Sequence, residues 1–485
     1  MEPQSNLMLE KIRREFGFFG GISLIFGITA VLLFYKAGIG LNSFVFTIII
    51  TILTGLIAKR LNITIKKEVA FSLSASMLLG LSNVLTSSFD LRFLNNIGIL
   101  LLLDYSLIRL FAEGKSMDFT DDLLNLFALP FKALTSVGML FIDGNRFIKN
   151  KNIIRSDRIR NILIGCIIAV PLLIINISLL SRADLLFGKI TGSMFKWFFG
   201  TDIIVVVILA VLGTICCYSL ICGSAGKKIA AGQKITKASP TIGITVSAIL
   251  LLTYVIFCGI QILYLFAGGI FVLPEEFTYS EYARRGFFEL LAVTCFNIIL
   301  ILISAKVFEQ NRHLRAILTA ITACTYIMIV SAAYRMLLYI GAYHLTFLRL
   351  LVLLFLLIDA LILAGVIISL YHKNFPLFGY SVTVITICYL IFSLGRPDYH
   401  IAKYFVDRTD RIESEDLNYL TSNLSLDAAP VVLPLLDGKY DYDIQLYIDY
   451  YHGRVSNSGS GDIREYNYSC SKAAKLMKNR SENGH

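Results

Sequence analysis

The chain has 485 residues, of which 56% are hydrophobic and only 16% are charged, and its mean hydropathy is +0.71. These values exclude a soluble globular protein, because too few polar side chains are available to cover its surface. The net charge of +10 would indicate nucleic acid binding in a soluble protein. Here most of the basic excess lies in short loops beside apolar segments, so we interpret it as a topology signal and expect no nucleic acid partner.

Apolar segments of about 20 residues recur along the chain, and this is the length that an α-helix needs to cross a bilayer. We predict about eleven crossings and therefore an all-α, polytopic helical membrane protein. The first segment follows a basic cluster but has no cleavage site of small residues after it, so we interpret it as an uncleaved span. The predicted spans are Phe16–Tyr35, Gly38–Ala58, Ala70–Ser88, Phe93–Ala112, Asn161–Ser181, Asp202–Cys222, Thr241–Ala267, Gly286–Ala305, Ala316–Ile340, Phe347–Tyr371 and Pro376–Gly395.

Lys and Arg crowd into every second gap between these segments, which places the N-terminus in the cytoplasm by the positive-inside rule. An odd number of crossings then carries the C-terminus to the extracytoplasmic side of the cell membrane. The predicted parts are a cytoplasmic N-terminus (1–15), a four-helix membrane unit (16–112), a cytoplasmic loop (113–160), a seven-helix membrane domain (161–395) and an extracytoplasmic tail (396–485).

The segment Leu123–Ile142 leaves the number of crossings open, because it is also about 20 residues long and mostly apolar. Its apolar residues recur at helical spacing, Asp121 and Asp122 can cap its start, and Pro130 interrupts it. These features favour an interfacial helix. A crossing would move the basic residues of 146–160 to the outer side, against the charge rule.

The tail differs from the rest of the chain in its mixed charges and many Tyr residues. Its apolar spacing predicts a small helical domain. Cys470 is its only cysteine, so no disulfide can form within it. The predicted tail helices are Glu413–Asn423, Leu426–Leu436, Tyr442–Tyr451 and Ser471–Arg480.

Asp104 and Asp359 fall close to the middle of two predicted spans. A charged group there costs roughly 2.5 to 3.5 kcal/mol, so each needs a partner, a wet cavity or a role. One interpretation is a proton-coupled secondary transporter, which uses buried carboxylates to load and release protons. In the other, each Asp is hydrogen-bonded to neighbours such as Tyr105, Ser106 or Asn297 and only stabilises helix packing.

Glu289 and Arg335 are predicted to lie at similar depth near the outer surface, where they could pair. Tyr339 follows Arg335 by one helical turn, Thr346 can cap the next helix, and Arg349 lies in its first turn. This hairpin presents a polar rim. Snorkelling of both arginines to lipid headgroups is the alternative.

The stretch from Gln261 to Glu289 reads QILYLFAGGIFVLPEEFTYSEYARRGFFE. Its Q-x-x-Y-L-F-x-G-G run, followed by T-Y-x-E-Y-A-R-x-G-F, resembles bacterial multi-pass membrane proteins described only as domains of unknown function, the four-one-seven-three and four-one-five-three groups. The segment from Arg335 to Arg349 is similar to the family's R-x-x-x-Y…Y-G-L-T-x-x-R, with His344 where Gly is usual.

Two further stretches are similar to the same family. Ala183–Phe187 matches S-A-D-P-x-F, with Arg182 replacing Ser and Leu185 replacing Pro, and the segment from Asp416 to Ala428 matches D-x-x-Y-L…L-S-x-D-A. The resemblance covers roughly Asn161 to Leu436. It implies an integral membrane protein and supplies no activity and no catalytic residues.

Combining the topology with these motifs predicts one polar site at the outer face, beneath the tail, with lipid headgroups or envelope components as its partners. We interpret the protein as acting in binding, scaffolding or signalling at the bacterial cell envelope. A transferase acting on lipid-linked substrates, with Glu281 or Glu289 as base, is a third alternative. The predicted site residues are Asp184, Glu281, Arg284, Arg285, Glu289, Arg335, Tyr339, Tyr343 and Arg349.

Sequence signatures of catalysis are absent from the chain. It has no G-x-x-x-x-G-K-[ST] loop, no H-E-x-x-H or C-x-x-C metal pair and no G-x-S-x-G elbow, and its six histidines are scattered. No cofactor, metal or catalytic residue is predicted.

Overall fold

The structure is a computed structural model. Every secondary-structure element in the described residues is a helix, so the fold is all-α, as predicted. It describes residues 4–111, 119–150, 202–226, 237–263, 287–309, 311–372, 374–408, 414–436, 442–457 and 461–482, with scattered positions between 165 and 189. The predicted span Asn161–Ser181 lies largely outside the described residues.

Ten of the described helices are long and apolar enough to cross a membrane, so the chain is a multi-pass membrane protein. In chain order the membrane-domain helices are α1 (Gln4–Arg14), α2 (Phe16–Phe34), α3 (Leu41–Leu61), α4 (Lys67–Leu85), α5 (Phe89–Leu110), α6 (Phe119–Thr135), α7 (Val137–Asn150), α8 (Asp202–Ala225), α9 (Pro240–Gln261), α10 (Phe287–Val307), α11 (Arg312–Tyr343), α12 (Phe347–Tyr371) and α13 (Leu377–Leu394). The ten candidate spans are α2–α5 and α8–α13.

The segment predicted as one interfacial helix is the bent pair α6 and α7, whose axes differ by 48°. The break falls at Ser136, and Pro130 lies inside α6. At the start of the pair, Lys306 near the end of α10 bonds Asp121 at 3.1 Å. At the end of the pair, Phe147 packs on Phe16 at the start of α2, with ring centroids 5.6 Å apart. Both ends of the pair therefore contact the same end of the helix bundle.

A close helix crossing joins α2 to α8. A Cβ atom added to Gly27 would lie 2.3 Å from the backbone oxygen of Ala210, and one added to Gly213 would lie 3.0 Å from the Cα of Gly27. In a bilayer, helices associate mainly through close packing, and small residues allow the backbones to approach. These two glycines therefore fix the position of α8 against the N-terminal helices.

A buried polar network joins α4 and α5 to α13. The amide nitrogen of Asn95 donates to Oδ1 of Asn83 at 2.9 Å. Its own Oδ1 accepts from the hydroxyls of Ser393 at 2.7 Å and Tyr389 at 2.8 Å. Because hydrogen-bonded polar side chains hold helices together inside a membrane, this network packs helices of the two predicted membrane units against each other.

The tail is a small helical unit, as predicted. A π-helical turn at Tyr419–Asn423 replaces the second half of the first predicted helix, and the third predicted helix continues to Asn457. Its helices are α14 (Pro397–Arg408), α15 (Ser414–Asn418), α16 (Ala429–Leu435), α17 (Tyr442–Asn457) and α18 (Tyr468–Glu482).

The tail docks where α4 ends. The last carbonyls of a helix have no partner within it, so they can accept hydrogen bonds from side chains of the tail. Asn467 donates to the backbone oxygen of Thr86 at 2.6 Å, and Ser469 donates to that of Leu85 at 2.8 Å. Asp427, which is fully buried, accepts from the hydroxyl of Thr86 and from the backbone nitrogen of Ser87. The tail thus caps this end of the helix bundle.

Two more loops reach the tail. The backbone nitrogen of Gly38 donates to Glu465 at 2.7 Å, and the ring of His344 lies 4.5 Å from that of Phe405. The loops α2–α3, α4–α5 and α11–α12 therefore share one end of the molecule, which we call the tail end.

Candidate functional site

A cavity of about 270 Å³ lies between α9, α10 and α11. Most of its wall is apolar. Among the described lining residues, Gln261, Glu289 and Arg335 come from the end of α9, the start of α10 and the last third of α11, so these polar side chains gather towards the tail end. The lining residues are Thr253, Tyr254, Phe257, Gln261, Glu289, Leu290, Val293, Met328 and Arg335.

Arg335 is the cationic group of this cavity and is only 6% exposed. Its Nη2 donates to Oε1 of Gln261 at 2.9 Å, and the hydroxyl of Ser331 donates to the same oxygen at 2.8 Å. The amide oxygen thus accepts two hydrogen bonds and orients the guanidinium. A fixed guanidinium suits carboxylate and phosphate groups, which it binds through paired N–H donors.

Glu289 lines the same cavity from α10 and is exposed. The cavity therefore carries one acidic and one cationic side chain from the set that the sequence predicted. The sequence could not indicate that Gln261, the first residue of the family motif, is the hydrogen-bond partner of Arg335.

Arg349 forms a second cluster one turn further along the hairpin. Its Cζ lies 4.2 Å from the ring centre of Tyr339, and its Nη1 donates to the backbone oxygen of Tyr343 at 2.6 Å and to that of His344. Its charge also acts on Tyr419 of the tail, whose pKa burial raises to about 12. Arg349 therefore caps the C-terminal end of α11 by binding its last backbone carbonyls.

Two further contacts lie in this hairpin. Thr346 caps α12 as predicted, since its hydroxyl accepts from the backbone nitrogen of Arg349 at 3.4 Å. Tyr339 and Tyr343 pack on each other with ring centroids 5.1 Å apart. Arg335 and Tyr339 lie one turn apart on α11, so the cavity and the Arg349 cluster are neighbours.

Of the remaining predicted site residues, the structure describes only Asp184. Asp184 is exposed, and its Oδ1 accepts from the backbone nitrogen of Phe187 at 2.8 Å, a local turn contact. Glu281, Arg284 and Arg285 lie outside the described residues.

The two mid-span carboxylates belong to different helix groups. Asp104 on α5 is half-buried and lies near Cys216 of α8. Asp359 on α12 is 4% exposed and lies beside Thr294 and Cys295 of α10. The predicted neighbours of Asp104 make other bonds: Ser106 donates to the backbone oxygen of Leu103 at 2.7 Å.

An ionic cluster at the opposite end of the bundle was not predicted. Arg109 bonds Glu68 at 3.1 Å and Asp122 at 2.9 Å. Arg13 bonds the buried Asp143 at 2.9 Å, although these residues are far apart in the chain. In the sequence, these charges are indistinguishable from topology signals. Within the described ranges, no three His, Cys, Asp or Glu side chains are grouped as metal ligands would be.

A family model described as Domain of unknown function (DUF4153) matches residues 73–435. No curated protein and no solved structure matches the chain. The matched region begins within α4, well before the stretch in which the sequence motifs resemble the family, and it ends with α16. It includes the cavity, Asp359 and the polar network around Asn95. Because the match covers most of its length, the chain belongs to the DUF4153 family.

Proposed function

We propose that the protein binds an anionic amphipathic ligand, a lipid headgroup with its first methylene groups, in the cavity between α9, α10 and α11. The observation that carries this proposal is the buried guanidinium of Arg335, held by Gln261 at the polar end of an apolar cavity. The apolar wall would bury methylene groups at about 25 cal/mol per Å². The guanidinium would pair with a phosphate or carboxylate.

The size of the cavity limits the ligand. Its volume of about 270 Å³ is near the lower limit of small-molecule pockets. A headgroup and the start of one acyl chain fit this space, whereas a whole lipid must leave part of its chains in the bilayer. We infer a binding role that supports scaffolding or signalling at the cell envelope.

The proposed site is on the outer face if the tail end faces outward. The positive-inside rule supports this orientation, since the basic clusters of the sequence lie at the end of the helix bundle opposite the tail end. Contacts of α6 and α7 with the far end of the bundle support an interfacial pair that does not cross the membrane.

Native mass spectrometry of the purified full-length protein with phosphatidylglycerol and phosphatidylcholine tests the proposal. Losing the charge-assisted bond in Arg335→Gln should weaken phosphatidylglycerol binding by about tenfold or more. Val293→Trp, which fills the apolar part without changing charge, should weaken both lipids. Arg408→Gln removes an exposed arginine of the tail and is the matched control.

Equal binding of phosphatidylglycerol by the wild type, Arg335→Gln and Val293→Trp would refute the proposal. Loss of binding only in the control would locate the lipid on the tail surface instead.

A further inference from the structure

Two acceptor atoms deep in the membrane domain have no hydrogen-bond donor among the described residues. They are Oδ2 of Asp359, whose residue is 4% exposed, and Oδ1 of Asn297, whose residue is fully buried. Leaving a buried polar atom unpaired costs about 1 to 3 kcal/mol, and more for a charged group. The two acceptors lie on the neighbouring helices α12 and α10, and each lacks a donor.

The side chains around these two acceptor atoms supply too few hydrogen-bond donors. Asn297 donates its amide to the hydroxyl of Thr325 at 2.9 Å, which fixes the amide's orientation. The hydroxyl of Thr294 is within hydrogen-bonding reach of the Asp359 carboxyl, but it also donates to the backbone oxygen of Leu291 at 2.9 Å. One hydroxyl proton cannot serve both acceptors.

No cation in the described part of the chain faces Asp359. Its titratable neighbours are the thiol of Cys295 and the phenol of Tyr326. The phenol already donates to the backbone oxygen of Ala360 at 2.8 Å. An ionised Asp359 would therefore be a buried charge without a partner inside an apolar bundle.

These residues lie one helical turn below the cavity. Thr294 and Asn297 each follow a cavity-lining residue of α10, Leu290 and Val293, by four positions, and Thr325 precedes the lining residue Met328 on α11 by three. Residues at these spacings share one helix face. The unpaired acceptors thus continue the polar path inward from the cavity.

We propose that Asp359 is the proton-binding site of this membrane domain, with Asn297 as the acceptor of its proton. One proton on Oδ2 removes the unpaired charge and provides the missing donor. Loss of the proton would leave an unpaired charge between α10 and α12. This inference does not depend on lipid binding in the cavity.

Infrared difference spectroscopy of the full-length protein in lipid vesicles, titrated from neutral to alkaline pH, tests this site. A carbonyl band of a protonated carboxylic acid should be present at neutral pH and absent in Asp359→Asn. The band should remain in Asp104→Asn, which changes the half-buried carboxyl of the other helix group. Asn297→Leu removes the acceptor that stabilises the neutral acid, so the band should shift and disappear at lower pH.

The Asn297→Leu measurement keeps the test valid if Asp359→Asn does not fold. A neutral-pH spectrum without an acid band assignable to Asp359 would overturn the proposal. So would loss of the band on adding Na⁺ at constant pH, which would identify a metal-cation site.

Discussion

At the residue scale, His344 has a backbone conformation that residues other than glycine rarely adopt. Its φ of 63° and ψ of 172° fall in a region that is essentially restricted to glycine. Such a conformation costs about 1 to 3 kcal/mol, whereas the ring contact with Phe405 contributes about 0.5 to 1.5 kcal/mol. The strain is therefore the larger effect. It coincides with the position where the sequence departs from the glycine of the motif it resembles.

We expect His344→Gly to raise the free energy of unfolding by about 1 kcal/mol, because it relieves the strain and loses only the ring contact. His344→Ala is the control: it keeps the strained backbone, loses the ring, and should lower stability. Thermal unfolding in detergent measures both. Changes in the same direction for the two variants would contradict this account.

At the scale of helices, the close crossing of α2 and α8 depends on Gly27. An added methyl group would meet the backbone oxygen of Ala210 at 2.3 Å and Oγ1 of Thr214 at 2.5 Å. The backbone cannot yield as a flexible side chain does, so α2 must move away from α8.

Gly27→Ala should lower the free energy of unfolding by about 1 to 3 kcal/mol, the usual cost of overpacking. Gly21→Ala is a matched control on the same helix, since nothing lies within 4 Å of its added Cβ. It should be neutral or slightly stabilising, because Ala favours helix more than Gly does. Equal effects in a thermal unfolding assay would show that helix propensity, and not the crossing, governs both sites.

At the scale of the whole molecule, the orientation in the membrane rests on the parity of the crossings. The basic residues predict a cytoplasmic N-terminus. The docked tail holds the α2–α3, α4–α5 and α11–α12 loops at one end, so these loops and the tail must lie on the same side of the membrane.

We expect a reporter that folds only outside the cytoplasm to be active when fused after His485, and a reporter that requires the cytoplasm to be inactive there. The same pair fused after Asn62, in the loop between α3 and α4, should give the opposite pattern. A cytoplasmic signal at the C-terminal fusion would reverse the predicted sides and move the cavity to the inner face.

The sequence by itself determined the fold class and most of the spans. Phe347–Tyr371 has the same limits in prediction and structure, and Thr346 caps this helix as its position indicated. Both follow from local physics: a membrane helix satisfies its own backbone hydrogen bonds and needs about 20 apolar residues to cross the bilayer. The helical tail was also predictable, because its apolar spacing is a local signal.

Only the tertiary structure decided which residues meet. Gln261 holds Arg335, Asn95 joins α4 and α5 to α13, and Asp427 binds Thr86 from the far end of the chain. Hydropathy cannot indicate these pairs, since lipid and helix interfaces are both apolar and a span's sequence does not reveal which face meets which neighbour. The hydrogen-bond partners of polar side chains inside the bilayer are therefore set by how the helices pack against one another.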